Sequence, residues 1–283
     1  MSVAITQRVV VVLASGRSGS SLLMQVLSAL GMRLSEQLIA GREENPDGFF
    51  EDAGIVRLQA NLLRSLQAWP FHPLPSDWLE SPATATAFQE LRAELRARLQ
   101  RADAIWGFKD PRTSAFLPLW QRLFAAENVM PAYLLALREP GSIIQSFMRS
   151  YDTPAETAEL VWLSRTCEAL HHTAADCYLV HYEDWFTRAE ELAVELAQYT
   201  GLAAAPGGNI AESLRGIIKP KLDRSARSGY ALRNEHALRL QAALKDCRGS
   251  EFDRSGLLQT VAACRAALAA DQAWNRVRGV AGD

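Results

Sequence analysis

The sequence predicts an α/β fold with a mainly parallel central sheet flanked by helices. A run of β-branched residues, "VVVVLA" from Val9, ends in a Gly/Ser loop and passes at once into an apolar helical pattern. Two further buried runs, "PAYLLALRE" and "CYLVHYE", come later in the chain. Helical periodicity separates each run from the next, and that alternation is the signature of parallel strands joined by crossover helices.

The elements follow in order. The first strand covers about residues 8–14, and a helix runs from Ser20 to Leu30 with apolar positions at Leu22, Leu23, Val26, Leu27 and Leu30, closed by Gly31. The loop "GREENPDGFFED" carries Asn-Pro and Asp-Gly turn signals. Helices are expected at about 53–68 and 84–101, separated by "AWPFHPLPSDW", with a short strand at 104–108 and a helix near 114–125. "PAYLLALRE" gives a strand at about 131–138, and a helix starts just after Pro140-Gly141. A longer helix covers about 154–174 and a strand 177–183; the rest is helical except near 203–209 and 216–231. There is no internal repeat and no low-complexity linker, so residues 1–283 read as one domain, with a lid or acceptor-binding insertion at about 53–103.

Composition narrows the function. The chain has 283 residues, 48% hydrophobic and 22% charged, with a net charge of −2. No broad basic surface is implied, which argues against a general nucleic-acid binder. Cys167, Cys177, Cys247 and Cys264 show neither C-x-x-C nor metal-ligand spacing and read as reduced thiols of a cytoplasmic protein. The run from Val9 to Ala14 is too short for a membrane span, and no other run is long enough. Lysine occurs only at Lys109, Lys219, Lys221 and Lys245, so each lysine position raises a question.

The loop "SGRSGSSLL" is built to hold an anion. Backbone N–H groups of Gly16, Ser18, Gly19, Ser20 and Ser21 can converge after the strand, the helix N-terminus adds its dipole, and Arg17 adds a full charge. It is P-loop-like in position yet lacks the G-K-[S/T] ending and the acidic magnesium ligand of a nucleotide kinase.

At this point the loop resembles the 5′-phosphosulfate loop of sulfotransferases that use 3′-phosphoadenosine 5′-phosphosulfate (PAPS). The resemblance implies that Arg17 and the loop amides cradle the 5′-phosphosulfate, with no metal required. It further implies an Arg at a later strand end and a Ser eight positions on, both at the 3′-phosphate; "LALREPGSIIQSFMRSY" supplies Arg138 and Ser146. A strand-end Arg at the carboxyl edge of an open sheet is also where such sheets bind ligands. "ENPDGFFED" resembles an Asn-Pro-x-Gly-Tyr-Phe-Glu element of a bacterial branch of this family, which implies Glu51 as catalytic base, with Glu36 and Glu44 as alternates. Burial beside Phe49 and Phe50 would raise its pKa toward a useful range. "WGFKDPRTS" resembles the Lys-Asp-Pro-Arg element of the same branch and implies Lys109 at the leaving oxygen. Asp110 is left either to orient Lys109 or Arg112 or to act as the base itself.

The family's Lys-x-His base element is missing, and of the five histidines only His72 merits a test. "HYEDW" at 181–185 resembles a strand end that recurs in the family, with a structural role implied. "IIKPKLDRSARSG" holds Lys219, Lys221, Arg224 and Arg227; Lys221 and Arg224 are candidate cofactor contacts, although the spacing departs from the family's late basic loop. Trp69, Phe71, Trp78, Trp106 and Phe108 are candidates for an apolar acceptor wall.

The expected activity is therefore transfer of a sulfuryl group from PAPS to a hydroxyl or amine of a small-molecule, glycan or lipid acceptor, leaving adenosine 3′,5′-bisphosphate (PAP). An ATP- and magnesium-dependent phosphotransferase and a catalytically inactive nucleotide-binding protein are the rival readings.

Overall fold

In the computed structural model, residues 7–41, 48–68, 71, 73–100, 104–203, 210–219 and 229–271 are described. Glu44, Trp69, His72, Lys221, Arg224 and Arg227 lie outside the described residues.

The fold is α/β with a parallel sheet of four strands in the order β2-β1-β3-β4. These are β1 (Gln7–Ala14), β2 (Trp106–Lys109), β3 (Val129–Leu137) and β4 (Tyr178–His181). Ten α-helices are described: α1 (Ser20–Ala29), α2 (Ala53–Ser65), α3 (Pro82–Leu99), α4 (Thr113–Ala126), α5 (Pro140–Tyr151), α6 (Ala155–His172), α7 (Ala189–Thr200), α8 (Ile210–Ile217), α9 (Glu235–Leu244) and α10 (Arg254–Ala270). The expected elements are present, with ends moved by a few residues. The helix expected from about 84 starts at Pro82, because Ser81 accepts a hydrogen bond from the Thr84 N–H at 3.1 Å and proline suits the first helical position.

From Val9 to Ala14 strand β1 is continuously apolar, because the sheet is covered on both sides there. Val9, Val11 and Leu13 face a larger core shared with α2, α3, α4, α5, α6, α9 and α10, whereas Val10, Val12 and Ala14 face a smaller one shared with α1, α7 and α8. All six are fully buried, and each Val or Leu so placed contributes about 1.5–3 kcal/mol. The segment at 53–103 adds Ile55, Leu58, Leu62, Leu91 and Leu95 to the larger core.

Topology fixes where a ligand can sit. The chain leaves β1 for β2 on one side, then crosses to β3 on the other, so the switch point lies between β1 and β3. All strands run parallel, and the loops after β1, β2, β3 and β4 gather at one edge. Those loops begin with Ser15, Asp110, Arg138 and Tyr182.

Candidate active site

The loop after β1 is wound rather than extended. Gly16, Arg17 and Gly19 have φ of 94°, 60° and 78°. Left-handed residues interspersed in such a loop turn successive N–H groups to one side, the geometry of an anion-binding nest. Gly19 is the N-cap of α1 and offers no side chain to the first helical amides. Its own constraint comes from Tyr182, since a Cβ there would lie 2.1 Å from Tyr182 Cδ2. Arginine is an uncommon residue at positive φ, and its side chain is anchored: Arg17 Nε donates to Ser146 Oγ at 2.9 Å. Ser18 is 1% exposed, and its Oγ has no hydrogen-bond partner among the described residues. A buried, unsatisfied hydroxyl beside a helix N-terminus suits an anionic ligand that brings acceptor oxygens.

Arg138 directly follows β3, with its guanidinium carbon 4.4 Å from the centre of the Tyr182 ring. Tyr182 therefore braces both Gly19 and Arg138. Ser146 falls two turns into α5, on Arg17. The N-terminus of α5 is capped by its own chain, with Glu139 accepting from the Gly141 and Ser142 N–H groups at 2.8 and 2.6 Å.

The second half of the site comes from β2 and the residues before α2. Lys109, 3% exposed, ends β2 with Nζ 3.1 Å from Glu51 Oε1 and 3.4 Å from Ser21 Oγ. Ser21 Oγ also donates to the Phe49 carbonyl at 3.2 Å. Glu51 is held from behind: the Ile39 N–H donates to its carbonyl at 2.8 Å, and Phe50 takes a φ of 56°. Asp52, not Glu51, caps α2, accepting from the Gly54 and Ile55 N–H groups. That division of labour frees the Glu51 side chain to turn inward, where it is 12% exposed. Burial pushes its carboxyl above the usual value of 4.5, the Asp110 charge adds to the rise, and Lys109 and Arg112 oppose it.

Asp110 is fully buried, and its oxygens are committed. They accept from the Arg112 N–H at 2.9 Å, from Arg112 Nε at 2.8 and 3.0 Å, and from Gln59 Nε2 at 2.7 Å. Gln59 is itself fixed, since its Oε1 accepts from Trp120 Nε1 at 3.1 Å. Of the options open in the sequence, Asp110 takes that of orienting Arg112. Glu36 is exposed and lines a separate cleft with Arg33, Arg57 and Arg98.

Two candidates for the acceptor wall are core residues instead. Trp106 and Phe108 are each 1% exposed and stack on one another at 5.1 Å, because alternate residues of β2 face the larger core. Trp78 packs edge-on against Phe116 at 5.4 Å. Phe71 does reach the site, meeting Phe147 and Tyr151 with ring centres at 5.6 and 5.2 Å. His181 is structural, with its Nε2 2.9 Å from the Cys247 carbonyl oxygen.

Three contributors went unread in the sequence: the Tyr182 ring, Gln59 and Arg165. Arg165 is 7% exposed and donates from Nη1 to the Ser15 carbonyl at 2.8 Å, with Phe71 over its guanidinium at 5.5 Å. Burial pushes its pKa down to about 10, with Asp110 acting against the fall. A signal existed, because Arg165 follows the apolar run Leu160–Leu163 of α6 and is soon followed by Cys167, Ala169 and Leu170.

The four cysteines are free and buried. Among the described residues no three His, Cys, Asp or Glu gather as metal ligands would, and no helix is long and apolar enough to cross a membrane.

No sequence-family model matches the chain, and neither does any curated protein sequence. Solved structures do match. The sulfotransferase domain from the curacin biosynthetic pathway superposes with a TM-score of 0.54 at 18% identity, covering 86% of this chain and 99% of that one. The sulfotransferase domain of the Synechococcus PCC 7002 olefin synthase gives 0.46 at 18% identity over 91% of this chain and 95% of that domain. Sulfotransferase STF1 from Mycobacterium tuberculosis H37Rv gives 0.44 at 14% identity over 74% of this chain and 71% of that one. At such identities likeness speaks to architecture: the parallel sheet, its flanking helices and the edge where its loops gather are those of a sulfotransferase fold.

Proposed function

We propose that the protein is a PAPS-dependent sulfotransferase acting on a hydroxyl or amine of a small-molecule, glycan or lipid acceptor, with no required metal. The observation that carries the proposal is the position of Lys109 Nζ, 3.1 Å from the Glu51 carboxylate and 3.4 Å from Ser21 of the anion-binding loop. A cation there stands between the place for a nucleotide's phosphates and a buried carboxylate of raised pKa.

In this reading the amides of Gly16, Ser18, Gly19, Ser20 and Ser21, with Arg17, hold the 5′-phosphosulfate end. Arg138 and Ser146 hold the 3′-phosphate, with Lys221 and Arg224 as further candidate cofactor contacts. When bound, the donor supplies a sulfuryl group whose sulfur bonds to the acceptor oxygen as its bond to the 5′-phosphate oxygen breaks. Glu51 takes the proton from the acceptor, and its raised pKa makes it a stronger base than an exposed carboxylate. Lys109 donates to the departing phosphate oxygen as charge builds there, and its short reach to Ser21 keeps it at the loop. Ser146 fixes the Arg17 side chain, so the charge is placed before a ligand arrives. The insertion at about 53–103 supplies the acceptor wall through Phe71.

The test is thermal melting with PAP, ADP and ATP, the last two with and without Mg²⁺. A ligand at a hundredfold its dissociation constant adds about 2.7 kcal/mol of stability. Stabilisation by PAP that is lost in Arg17→Ala and Arg138→Ala is expected. Stabilisation by Mg·ATP alone would overturn the proposal in favour of a phosphotransferase.

A further inference from the structure

An amide sits on α2 where packing alone asks for an apolar side chain. Gln59 is fully buried, on a face otherwise made by Ile55, Leu58, Leu62 and Leu63. Its Nε2 donates to Asp110 Oδ2 at 2.7 Å, and its Oε1 accepts from Trp120 Nε1 at 3.1 Å. Thr113 Oγ1 lies 3.3 Å from both ends of the amide. A carboxylate accepts and an indole N–H donates, so these partners allow the amide one orientation. Glutamine fits where residues of its shape do not: glutamate would set an acceptor against Asp110, and methionine would offer no donor and only a weak acceptor.

The contact has a particular place in the chain. Glu51 directly precedes Asp52, the cap of α2, and Gln59 lies about two turns into that helix, roughly 10 Å along its axis. Lys109 is the last residue of β2, and Asp110 is the next. Two neighbouring residues at the end of β2 therefore grip the 51–59 segment at two separate points, Lys109 on Glu51 at 3.1 Å and Asp110 on Gln59 at 2.7 Å. One contact fixes a distance, whereas two fix the direction of α2 as well. The second lies out of reach of solvent, because Gln59, Asp110, Thr113 and Trp120 are all fully buried.

We propose that Gln59 is a positioning residue of the reaction: through Asp110 it locks α2 to the end of β2, and so holds the Glu51 carboxylate against Lys109. The role deepens, and rests on, the sulfotransferase reading, whereas the lock itself is a matter of packing. A base must lie within hydrogen-bond reach of the proton it takes, and a displacement of about 1 Å can cost about 100-fold in rate. Glu51 leads directly into α2, so its carboxylate goes where the helix goes. A fully satisfied buried polar cluster specifies that placement, where an apolar contact could slide.

The test reads the lock through Glu51 itself and needs no acceptor. The proton affinity of the Glu51 carboxyl is followed by ¹³C NMR of glutamate-labelled protein, with its signal assigned from Glu51→Gln. Lys109→Met is expected to raise that affinity about 10- to 1,000-fold, the range for loss of an adjacent opposite charge. In Gln59→Met, which keeps the length and removes the hydrogen bonds, the same change at Lys109 is expected to raise it less than about 10-fold, because Glu51 is no longer held at the cation. Gln59→Glu is the second variant, since it keeps the shape and sets two carboxyl groups against each other. Gln59→Glu combined with Asp110→Asn exchanges carboxylate and amide, which again faces a donor with an acceptor, and the full response to Lys109→Met is expected to return. A merely structural Gln59 would change stability and leave that response intact. A full response in either single Gln59 variant overturns the inference, and so does an exchange that fails to restore it. The titration involves no nucleotide. Failure of PAP to stabilise the unaltered protein would instead overturn the sulfotransferase reading, so the two failures are distinguishable.

Discussion

Replacing Lys109 by methionine keeps the stem of the side chain and removes the charge that faces Glu51. The pair is 3.1 Å apart, with side chains 3% and 12% exposed, so solvent screens it little. At an effective dielectric of about 20 the attraction is about 5 kcal/mol, set against the cost of desolvating both ions. Removing one partner of such a pair costs about 3–5 kcal/mol, because the other is left buried and uncompensated. Glu51 can escape part of that cost by taking up a proton, which returns about 1.4 kcal/mol per pH unit that its folded pKa lies above the assay pH. Its folded pKa is already raised by burial, and loss of Lys109 raises it further. A raised folded pKa means stability held at low pH and lost as pH rises through that value. Lys109→Met is therefore expected to lose about 3 kcal/mol at pH 8 and clearly less at pH 5. Adding Glu51→Gln is expected to restore about 2 kcal/mol or more at pH 8. Urea unfolding of the two single variants and the double variant at both pH values measures this. Single losses that add to within about 0.5 kcal/mol in the double variant, or a Lys109→Met loss that is equal at both pH values, would refute the coupling.

Glu51→Gln alone is expected to cut turnover about 10²- to 10⁴-fold while PAP binding persists. In the unaltered protein, kcat/KM should rise with pH through a midpoint above the ordinary glutamate value of 4.5, since the base works only when ionised and burial delays its ionisation; a midpoint at or below that value would count against Glu51. Gly19→Ala places a Cβ 2.1 Å from the Tyr182 ring at a φ of 78°. About 1–3 kcal/mol of overpacking and about 1 kcal/mol of left-handed strain should lower the melting temperature and abolish stabilisation by PAP. Adding Tyr182→Ala should recover the overpacking part, and a Gly19→Ala protein that melts and binds normally would show that the loop has another conformation.

The acceptor-side residues were harder to read than the loop because their roles depend on what lies across the site. Glu51 and Asp52 are adjacent acids before a helix, and nothing in the sequence says which caps α2 and which turns inward. The structure gives the cap to Asp52, which Arg98 of α3 also holds at 2.8 Å. Asp110 reads in the sequence either as a base or as the partner of a nearby cation, and only the structure places Gln59 and Arg112 on its oxygens. Trp106 and Phe108 carried no mark separating a core aromatic from a ligand wall.

The sequence by itself determined the α/β architecture, the Gly/Ser loop after β1 and the positions of Lys109 and Arg138 at the carboxyl ends of their strands. These follow from short-range physics: hydrophobic period, glycines where the loop turns left-handed, and the rule that parallel strands end at a common edge. Only the tertiary structure decided the partners: Arg17 on Ser146, Lys109 between Ser21 and Glu51, Tyr182 against both Gly19 and Arg138, and Arg165 beneath the loop. Such contacts join distant parts of the chain, 129 residues apart for Arg17 and Ser146 and 150 for Arg165 and Ser15. They are set by how the helices pack on the two faces of the sheet, and no local pattern encodes that packing.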